Sequence, residues 1–292
     1  MEAVRDVQRI GEAVNAREAV AAVGREPFIP DEIFVRDDAG RLEPLHRSED
    51  PTRWREQVSA DAPIVTRVAP DPALPAEVCD PATGKGMVST SSSSAPFIMA
   101  RLIEALDVRP GMRVLEIGTG TGYNAAVLAH LVGVEKVVSI EIDPVVASRA
   151  RAALESAGFR VKVVVGDGEL GHAAGAPYDR VIATASAHTV PHAWVEQTRP
   201  GGLILVPLAP TVHPEWPLAA LKVQEDGMAQ GRCVGPSPFM PLRAQHVSLE
   251  AVDDAEDRWA AAGKPDVTRY GVTVTHNGQQ IWLDSPDNPF TP

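Results

Sequence analysis

Short apolar runs alternate with longer amphipathic segments through the middle of the chain. The apolar runs occupy residues 113–117, 137–142, 161–165 and 178–183, and each gap between them leaves room for a helix or a connecting loop. Strands that alternate with helices of about 10–15 residues are typical of parallel βαβ units. The pattern therefore predicts an α/β fold with a Rossmann-like parallel sheet between about residues 94 and 208.

Weaker patterns flank this predicted sheet on both sides. Residues 3–24 keep a helical period, 62–68 form a strand candidate, and 69–86 are rich in Pro, Asp and Gly, which indicates a loop. After the sheet, the pattern predicts a helix over 250–262 and a β-hairpin around Asn277-Gly278. The predicted sheet thus carries an extension at each end.

The most informative motif joins the first apolar run to the next helix. Its alternating residues are Glu116, Gly118, Gly120 and Gly122. The dinucleotide-binding pattern G-x-G-x-x-G differs, because it presents amides and a helix N-terminus to a pyrophosphate. Here an acid stands at the end of the strand and the helix begins later. A carboxylate in this place suits a ligand without phosphates that carries a cationic amino group, and S-adenosylmethionine is such a ligand.

Acidic residues also follow the next two apolar runs. Glu141 lies 25 residues after Glu116, where a carboxylate can accept hydrogen bonds from both hydroxyls of a ribose. Asp167 follows the third run and could accept a hydrogen bond from an adenine amino group. Ligands of such sheets bind beyond the carboxyl ends of the strands. The predicted S-adenosylmethionine site comprises Glu116, Gly118, Thr119, Gly120, Gly122, Glu141, Ile142, Asp167 and Gly168.

A nicotinamide-binding or purely structural Rossmann unit is the alternative interpretation of this region. The glycines alone argue weakly against it, whereas three acids at three successive strand ends argue strongly. The sequence therefore favours a methyltransferase.

Composition narrows the class of partner. The 292 residues include 27 basic and 39 acidic side chains, for a net charge of −12, which argues against a nucleic-acid backbone as the main partner. The two cysteines, Cys79 and Cys233, are far apart and form no C-x-x-C, so neither a disulfide framework nor a metal site is expected. No apolar run reaches the length of a membrane span and the N-terminus does not resemble a signal peptide, so we expect a soluble, cytoplasmic protein without a membrane partner. The oligomeric state stays open.

A serine- and threonine-rich run, residues 89–94, precedes a predicted helix from Pro96 to Leu106. Such a composition is typical of a flexible linker. The run is short, however, and it leads directly into a helix that has proline near its start. This arrangement predicts Ser94 as the N-cap of the helix.

Six motifs in a fixed order make the chain resemble a known family. They are Ser94-Ala95-Pro96, Val114 to Tyr123, Gly166-Asp167-Gly168, Ala176 to Arg180, Pro200-Gly201-Gly202 and Phe239 to Leu242. In this order the chain resembles the protein-L-isoaspartate O-methyltransferase family over about residues 87–243. The resemblance implies transfer of a methyl group from S-adenosylmethionine to a carboxylate of an isoaspartyl residue in a peptide or protein.

The resemblance also assigns residues to the methyl acceptor. Ser94, as the catalytic residue, would hold the substrate carboxylate together with Ser93 and the backbone of Ala95, and Met240 would line the same pocket, where family members often carry Val. A carboxylate is already ionised at pH 7 and needs no general base, only alignment and partial desolvation. After the fourth run the chain reads Thr-Ala-Ser-Ala (184–187) instead of the Asn/Asp-Pro-Pro-Tyr of many amino-group methyltransferases. This difference argues against adenine or glutamine N-methylation.

The extensions separate this chain from the compact repair enzymes of the family. They resemble those of a subgroup associated with ribosomally synthesised, post-translationally modified peptides, which implies methylation of an Asp in one dedicated peptide and closure of the ester to aspartimide or isoaspartate. We expect an N-terminal extension over 1–86 that could recognise substrate, a methyltransferase core over 87–243 and a helix-hairpin extension over 244–292.

Other functions remain as alternatives. Repair of L-isoaspartyl residues in damaged proteins is the first, and a small-molecule methyl acceptor is the second. The acidic balance disfavours an RNA methyltransferase. A binding protein that has lost catalysis is disfavoured because Glu116, Glu141 and Asp167 are all present.

Overall fold

Two β-sheets and seven α-helices form the part of the chain that the structure, a computed structural model, describes, which is residues 15–290. The predicted helix over 3–24 is seen as α1, Ala16–Val23, and its first part lies outside the described residues. Asn15 caps α1 by accepting the Glu18 N–H at 3.2 Å, and the helix ends at Gly24, whose φ is 65°. The predicted end of this helix at Gly24 is therefore confirmed.

The residues before the predicted core form a small antiparallel sheet of their own. Its strands lie in the order β2-β1-β3-β4. They are β1 (Glu32–Arg36), β2 (Leu42–His46), β3 (Ile64–Pro70) and β4 (Met87–Ser93), and α2 (Pro51–Ser59) lies between β2 and β3 in the chain. A separate apolar cluster around Ile33 and Trp54, both fully buried, holds this sheet to α2.

The serine-rich run is a strand and not a linker. It forms most of β4, the edge strand, which pairs antiparallel with β3 and so gives its backbone polar groups partners on one side. The sequence pattern missed this strand because serine has little preference for sheets and the pairing partner lies more than 20 residues away.

The prediction of Ser94 as a helix N-cap is wrong. Helix α3 spans Pro96–Leu106 and its N-cap residue is Ala95, whose side chain cannot cap. Asp61 from the loop before β3 takes the capping role, because its Oδ1 accepts the Phe97 N–H at 2.9 Å. Ser94 thereby stays free for another role.

The larger sheet has nine strands, in the order β13-β12-β11-β10-β9-β8-β5-β6-β7. Its parallel half consists of β5 (Val114–Ile117), β6 (Val137–Glu141), β7 (Lys162–Val165), β8 (Tyr178–Ala183) and β9 (Thr198–Pro207). The helices α3, α4 (Tyr123–Val132), α5 (Pro144–Ser156) and α6 (His192–Gln197) connect these strands or precede them. The order reverses between β5 and β8, which is where such sheets bind ligands. The predicted α/β fold with a Rossmann-like parallel sheet is confirmed.

The C-terminal strands continue this sheet in antiparallel fashion. They are β10 (Pro217–Val223), β11 (Ala229–Pro236), β12 (Tyr270–Thr275) and β13 (Gly278–Leu283), with α7 (Leu249–Ala261) between β11 and β12. The predicted terminal hairpin exists, but its two loop residues are His276 and Asn277, and Gly278 already begins β13. The hairpin is joined to the core because β12 pairs with β11.

Buried side chains cover both faces of the nine-stranded sheet. One cluster lies under α3 and α4, and the other contains Tyr178, Trp194 and Tyr270, each fully buried. All four residues of β5 are buried, as expected for the central strand of a parallel sheet with helices on both faces. None of the helices described between residues 15 and 290 is long and apolar enough to span a bilayer.

Candidate active site

A cavity opens at the carboxyl ends of the parallel strands, beside the point where the strand order reverses. Three parts of the chain line it. They are the ends of β5 to β8 with the loops that follow (Ile117, Gly118, Thr119, Gly120, Thr121, Tyr123, Asn124, Ile140, Glu141, Ile142, Asp167, Gly168, Thr184 and Ala185), the β4–α3 segment (Thr90, Ser91, Ser92, Ser93, Ser94 and Met99), and Met240, Pro241, Leu242 and Arg243. The structure thus brings together most of the predicted residues, but Ala95, Glu116 and Gly122 are not in the wall.

The glycine loop after β5 has a backbone that side chains would disturb. Gly118 has a φ of 92°, and a Cβ placed on it would lie 2.7 Å from Thr184 Oγ1. Gly120 has a φ of 55° and donates its N–H to Glu141 Oε2 at 2.9 Å. Glycine adopts such positive φ angles without a steric penalty. The loop consequently lies flat against the ends of β6 and β8 and leaves the cavity open above it.

Gly122 serves the packing of two helices. It is the N-cap residue of α4, with a φ of 87°, and a Cβ there would come within 3.1 Å of the Leu154 side chain on α5. The geometry gives this glycine a role in helix packing beside the cavity.

Glu116 lies beneath the cavity floor. Its side chain is fully buried, and its Oε1 accepts a hydrogen bond from Asn124 Nδ2 at 2.7 Å while its Oε2 accepts one from Ser139 Oγ. Burial raises the pKa of Glu116 to about 7, although the hydrogen bonds from Ser139 and Asn124 oppose this shift. The predicted direct contact between Glu116 and a ligand would have to pass Asn124, which does line the cavity.

Two buried polar atoms of the cavity wall have no partner among residues 15–290. They are Ser93 Oγ and Asn124 Oδ1. Buried side-chain polar atoms are nearly always hydrogen-bonded to protein, water or ligand. One atom can donate and the other can only accept, so this wall suits a ligand or waters that carry both kinds of group.

The acids after β6 and β7 stand at the cavity edge. Glu141 accepts from Gly120, as noted, and also from the Asp143 N–H through Oε1 at 3.1 Å. Asp167 uses Oδ1 to accept the Glu169 N–H at 3.0 Å, and its Oδ2 has no hydrogen-bond partner within the described residues. Gly168 follows it, where an added Cβ would lie 2.5 Å from the Ile117 side chain. Gly168 therefore packs against Ile117 with no room for a side chain, and Asp167 beside it is exposed.

The segment that carries Met240 is fastened to the loop after β8. Ser186 donates its N–H to the Met240 carbonyl at 2.8 Å, and Leu242 donates its N–H to the Ser186 carbonyl at 2.9 Å. On the opposite side, the Ser94 carbonyl accepts a hydrogen bond from Arg25 Nη1 at 3.3 Å. Ser94 and Met240 thus belong to two separately anchored segments that line the same cavity.

Sequence reasoning missed several residues of the cavity wall. Thr184 and Ala185 follow the end of β8 directly, so the strand-end rule that found Glu141 and Asp167 would also have found them. Asn124 and Arg243 gave no comparable signal, because their place in the wall depends on how α4 and the segment after Met240 pack.

Asp143 joins two segments that come from opposite ends of the core. It caps α5 by accepting the Val145 N–H at 2.9 Å, it forms an ion pair with Arg67 of β3, and its Oδ2 lies 3.6 Å from Arg243 Nη2. Burial alone would raise its pKa, but the amide hydrogen bonds and Arg67 outweigh this and hold the pKa of Asp143 below its ordinary value. The ion pair therefore ties the N-terminal sheet to the cavity rim.

The chain matches a known family of methyltransferases. Residues 82–247 match the family model described as Protein-L-isoaspartate(D-aspartate) O-methyltransferase (PCMT). The chain belongs to this family. The predicted family is thereby confirmed, and the chain is an S-adenosylmethionine-dependent O-methyltransferase.

Curated relatives agree with this membership. Protein-L-isoaspartate O-methyltransferase 2 of Archaeoglobus fulgidus is 43% identical over 155 residues, which are 52% of this chain and 69% of the relative. The Methanopyrus kandleri protein-L-isoaspartate O-methyltransferase is 43% identical over 152 residues, 51% of this chain and 66% of the relative. The sequence similarity to these two relatives therefore covers about half of this chain.

A solved protein-L-isoaspartate O-methyltransferase resembles a larger part of the fold. Its TM-score to this chain is 0.61, with 92% of this chain and 95% of that chain covered at 20% identity. At this identity the likeness supports the fold alone. Together with the family match, it places the cavity in a methyltransferase sheet whose cofactor is S-adenosylmethionine.

Proposed function

We propose that this enzyme methylates the side-chain carboxylate of an Asp in a dedicated peptide, and that the ester then closes to aspartimide or isoaspartate. The observation that carries the proposal is how one side of the acceptor wall is held in place. Strand β4 lines the cavity, and its only partner strand within the described residues is β3, which lies outside the residues matched to the family. An extension that holds the acceptor wall can select one peptide.

The cavity offers hydrogen-bonding groups and open backbone that suit S-adenosylmethionine. Gly118 and Gly120 let a ligand approach the backbone closely. We assign Glu141 as the acceptor of the ribose hydroxyls, Asp167 Oδ2 as the acceptor of the adenine amino group and Asn124 Oδ1 as the acceptor of the cationic amino group. Ile142, which is 38% exposed at the rim, offers an apolar surface for a planar ring. We assign Thr119 and Gly168 to the same wall and Glu116 to a supporting position below it.

The acceptor side is proposed to hold a carboxylate. The hydroxyls of Ser93 and Ser94 can donate to its two oxygens, and Met240 gives the acceptor wall an apolar surface on the side that faces them. Ala95 lies outside the wall, so we assign it to the start of α3. Partial desolvation between these groups makes the carboxylate a better nucleophile while the hydrogen bonds keep it aligned.

The reaction needs no proton transfer from the protein. When bound, the cofactor supplies an electrophilic methyl group on a sulfonium. A carboxylate oxygen forms the new bond to that methyl carbon, the carbon–sulfur bond breaks, and its electron pair stays on sulfur. Among residues 15–290 there is no group of three or more His, Cys, Asp or Glu side chains that could hold a metal ion. What the residues contribute is position, and the products are a methyl ester and S-adenosylhomocysteine.

A repair role for L-isoaspartyl residues is the second candidate. The 43% identity to curated protein-L-isoaspartate O-methyltransferases favours it. A repair enzyme must accept many sequences, whereas a dedicated enzyme must reject them. The two roles therefore differ in sequence tolerance and in the acceptor residue.

Mass spectrometry on matched peptides separates these roles. Each pair would carry L-isoaspartate or Asp at one position, in several unrelated sequences, and the Ser94→Ala variant would serve as the control for background methylation. A dedicated enzyme is expected to leave these peptides unmodified and to methylate a peptide encoded beside it, whose ester then closes to aspartimide as the backbone nitrogen displaces methanol. Methylation of the isoaspartyl member in every pair would overturn the dedicated role and support repair.

A further inference from the structure

Two glutamine side chains hold the backbone of a surface loop that leads away from the cavity. The loop comprises residues 184–191 between β8 and α6, and we call residues 188–190 its outer turn. Gln245 Oε1 accepts the N–H groups of His188 and Thr189 at 2.7 and 2.9 Å, and Gln245 Nε2 donates to the Thr189 carbonyl at 3.1 Å. One side chain thus satisfies three backbone groups of the outer turn.

Gln279 completes this set from a distant part of the chain. It lies on β13, in the terminal hairpin and beyond the residues matched to the family. Its Oε1 accepts the Val190 N–H at 2.9 Å and its Nε2 donates to the His188 carbonyl at 2.8 Å. A side-chain amide that bonds the backbone in both directions fixes the turn in one orientation, since losing either bond leaves a backbone group without its partner.

The outer turn is connected to the acceptor wall through a short backbone path. Ser186, two residues before the turn, exchanges hydrogen bonds with Met240 and Leu242, and Thr184 lines the cavity itself. Gln245 reaches the other side of the cavity as well, because its Nε2 also donates to Glu169 beside Gly168. A shift of residues 188–190 would therefore move the segment that carries Met240.

We propose that Gln279 is a positioning residue for methyl transfer. Acting through His188 and Val190, it holds the loop after β8 and, through Ser186, the Met240–Leu242 part of the acceptor wall. The inference rests on the proposed function in that it takes Met240 as part of the acceptor side of the cavity. It gives the terminal hairpin a role in the reaction, which the family match to residues 82–247 does not include.

The test compares the wild type with Gln279→Ala and Gln279→Glu. The second variant keeps an oxygen for the Val190 N–H but loses the donor to the His188 carbonyl. Gln280→Ala is the matched control, because Gln280 is the exposed neighbour on the same strand and its side chain donates, among the described residues, only to the Pro286 carbonyl, at 3.3 Å. Three quantities are measured for each variant. They are the hydrogen–deuterium exchange of residues 184–190 and 240–245, the affinity for S-adenosylmethionine by calorimetry, and kcat and KM for a peptide that the wild type methylates.

The inference makes the following predictions. Gln279→Ala should speed exchange in both segments and raise the KM for the peptide roughly tenfold, with Gln279→Glu between it and the wild type. Cofactor affinity should stay within about twofold of the wild type, and Gln280→Ala should behave as the wild type. Faster exchange confined to the hairpin and residues 188–190 would overturn the proposal, because the turn would then not hold residues 240–245.

The exchange measurement keeps the two proposals separate. If the wild type methylates neither the matched peptides nor a peptide encoded beside it, the proposed function fails. The exchange data still decide whether Gln279 holds the cavity wall, since they need no substrate.

Discussion

Asn124 donates a hydrogen bond from Nδ2 to Glu116 Oε1 across 2.7 Å and so separates the buried acid of the glycine motif from the cavity. The remaining amide oxygen of Asn124 has no partner in the described part of the chain, and Asn124 lines the cavity. The acid therefore fixes the orientation of an amide, and the amide oxygen is the group available to a ligand. This relationship leads to the first two predictions.

Glu116→Gln should change how stability depends on pH. The pKa of Glu116 is about 7 in the folded protein against 4.5 as the ordinary value. Between these two values the unfolded chain loses the proton and the folded protein keeps it, so the wild type loses stability as pH rises, by about 3 kcal/mol at most. A glutamine can still accept from Asn124 and donate to Ser139, so the variant should lack this loss. Urea unfolding between pH 4.5 and 8.5 measures it, with the exposed Glu155→Gln as control. Parallel pH profiles for Glu116→Gln and the wild type would contradict the assignment.

Asn124→Ala should weaken S-adenosylmethionine binding by about 1–2 kcal/mol, because it removes the acceptor proposed for the cationic amino group. Isothermal titration calorimetry at pH 8 measures the change. Asn288→Ala in the C-terminal tail, whose Nδ2 donates to the Leu283 carbonyl at 3.0 Å, provides the control. Equal affinities of Asn124→Ala and the wild type would show that this amide does not contact the cofactor.

Glu141→Ala should also weaken cofactor affinity, by roughly 1–3 kcal/mol if two hydrogen bonds from ribose hydroxyls to a charged acceptor are lost. The structure adds a second cause, since the Gly120 N–H then loses its acceptor. Glu141→Gln keeps one oxygen and should fall between Glu141→Ala and the wild type in calorimetry. An unchanged affinity in both variants would remove Glu141 from the cofactor site.

Gly118→Ala should abolish measurable cofactor binding while the protein still folds. The residue has a φ of 92° and its Cβ would lie 2.7 Å from Thr184 Oγ1, so the loop must move. Gly158→Ala is a matched control, because Gly158 has a φ of 84° with nothing within 4 Å of the added Cβ. Both variants should lose about 1–2 kcal/mol of stability from the positive φ. If the two variants bind the cofactor equally well, the contact with Thr184 does not control cofactor binding. Adding Thr184→Ala to Gly118→Ala should restore part of the binding.

Ser94→Ala should lower kcat/KM for the peptide substrate by roughly 10- to 100-fold, because a hydroxyl that donates to a carboxylate contributes about 1.5–3 kcal/mol. Cofactor affinity should not change. Ser89→Ala on β4 is the control, since Ser89 is paired with Val68 and is not among the residues that line the cavity. A loss of cofactor affinity that equals the loss of activity would assign Ser94 to the cofactor side instead.

Local pattern was sufficient for much of the fold and for many residues of the cavity wall. Each apolar run that became one of the strands β5 to β8 is only a few residues long. A side chain's preference for a strand or a helix acts over the same short stretch of chain. The glycine loop was predictable because positive φ angles at Gly118 and Gly120 restrict the residue type locally. Glu141 and Asp167 were predictable because parallel strands end at the same edge of a sheet, whatever the loops between them do.

Tertiary structure decided what depends on distant partners. Asp61, and not Ser94, caps α3, the serine-rich run became β4 by pairing with β3, and the terminal hairpin joined the core sheet through β11. Glu116 is buried beneath the cavity because Ser139 and Asn124 cover it, a contact between a neighbouring strand and a helix that periodicity does not encode. The sequence by itself determined the sheet and its glycine loop, since these follow from short-range sterics and strand direction, and its ordered motifs indicated the family by resemblance. Only packing between segments far apart in the chain decided which side chains reach the cavity and which hold it in place.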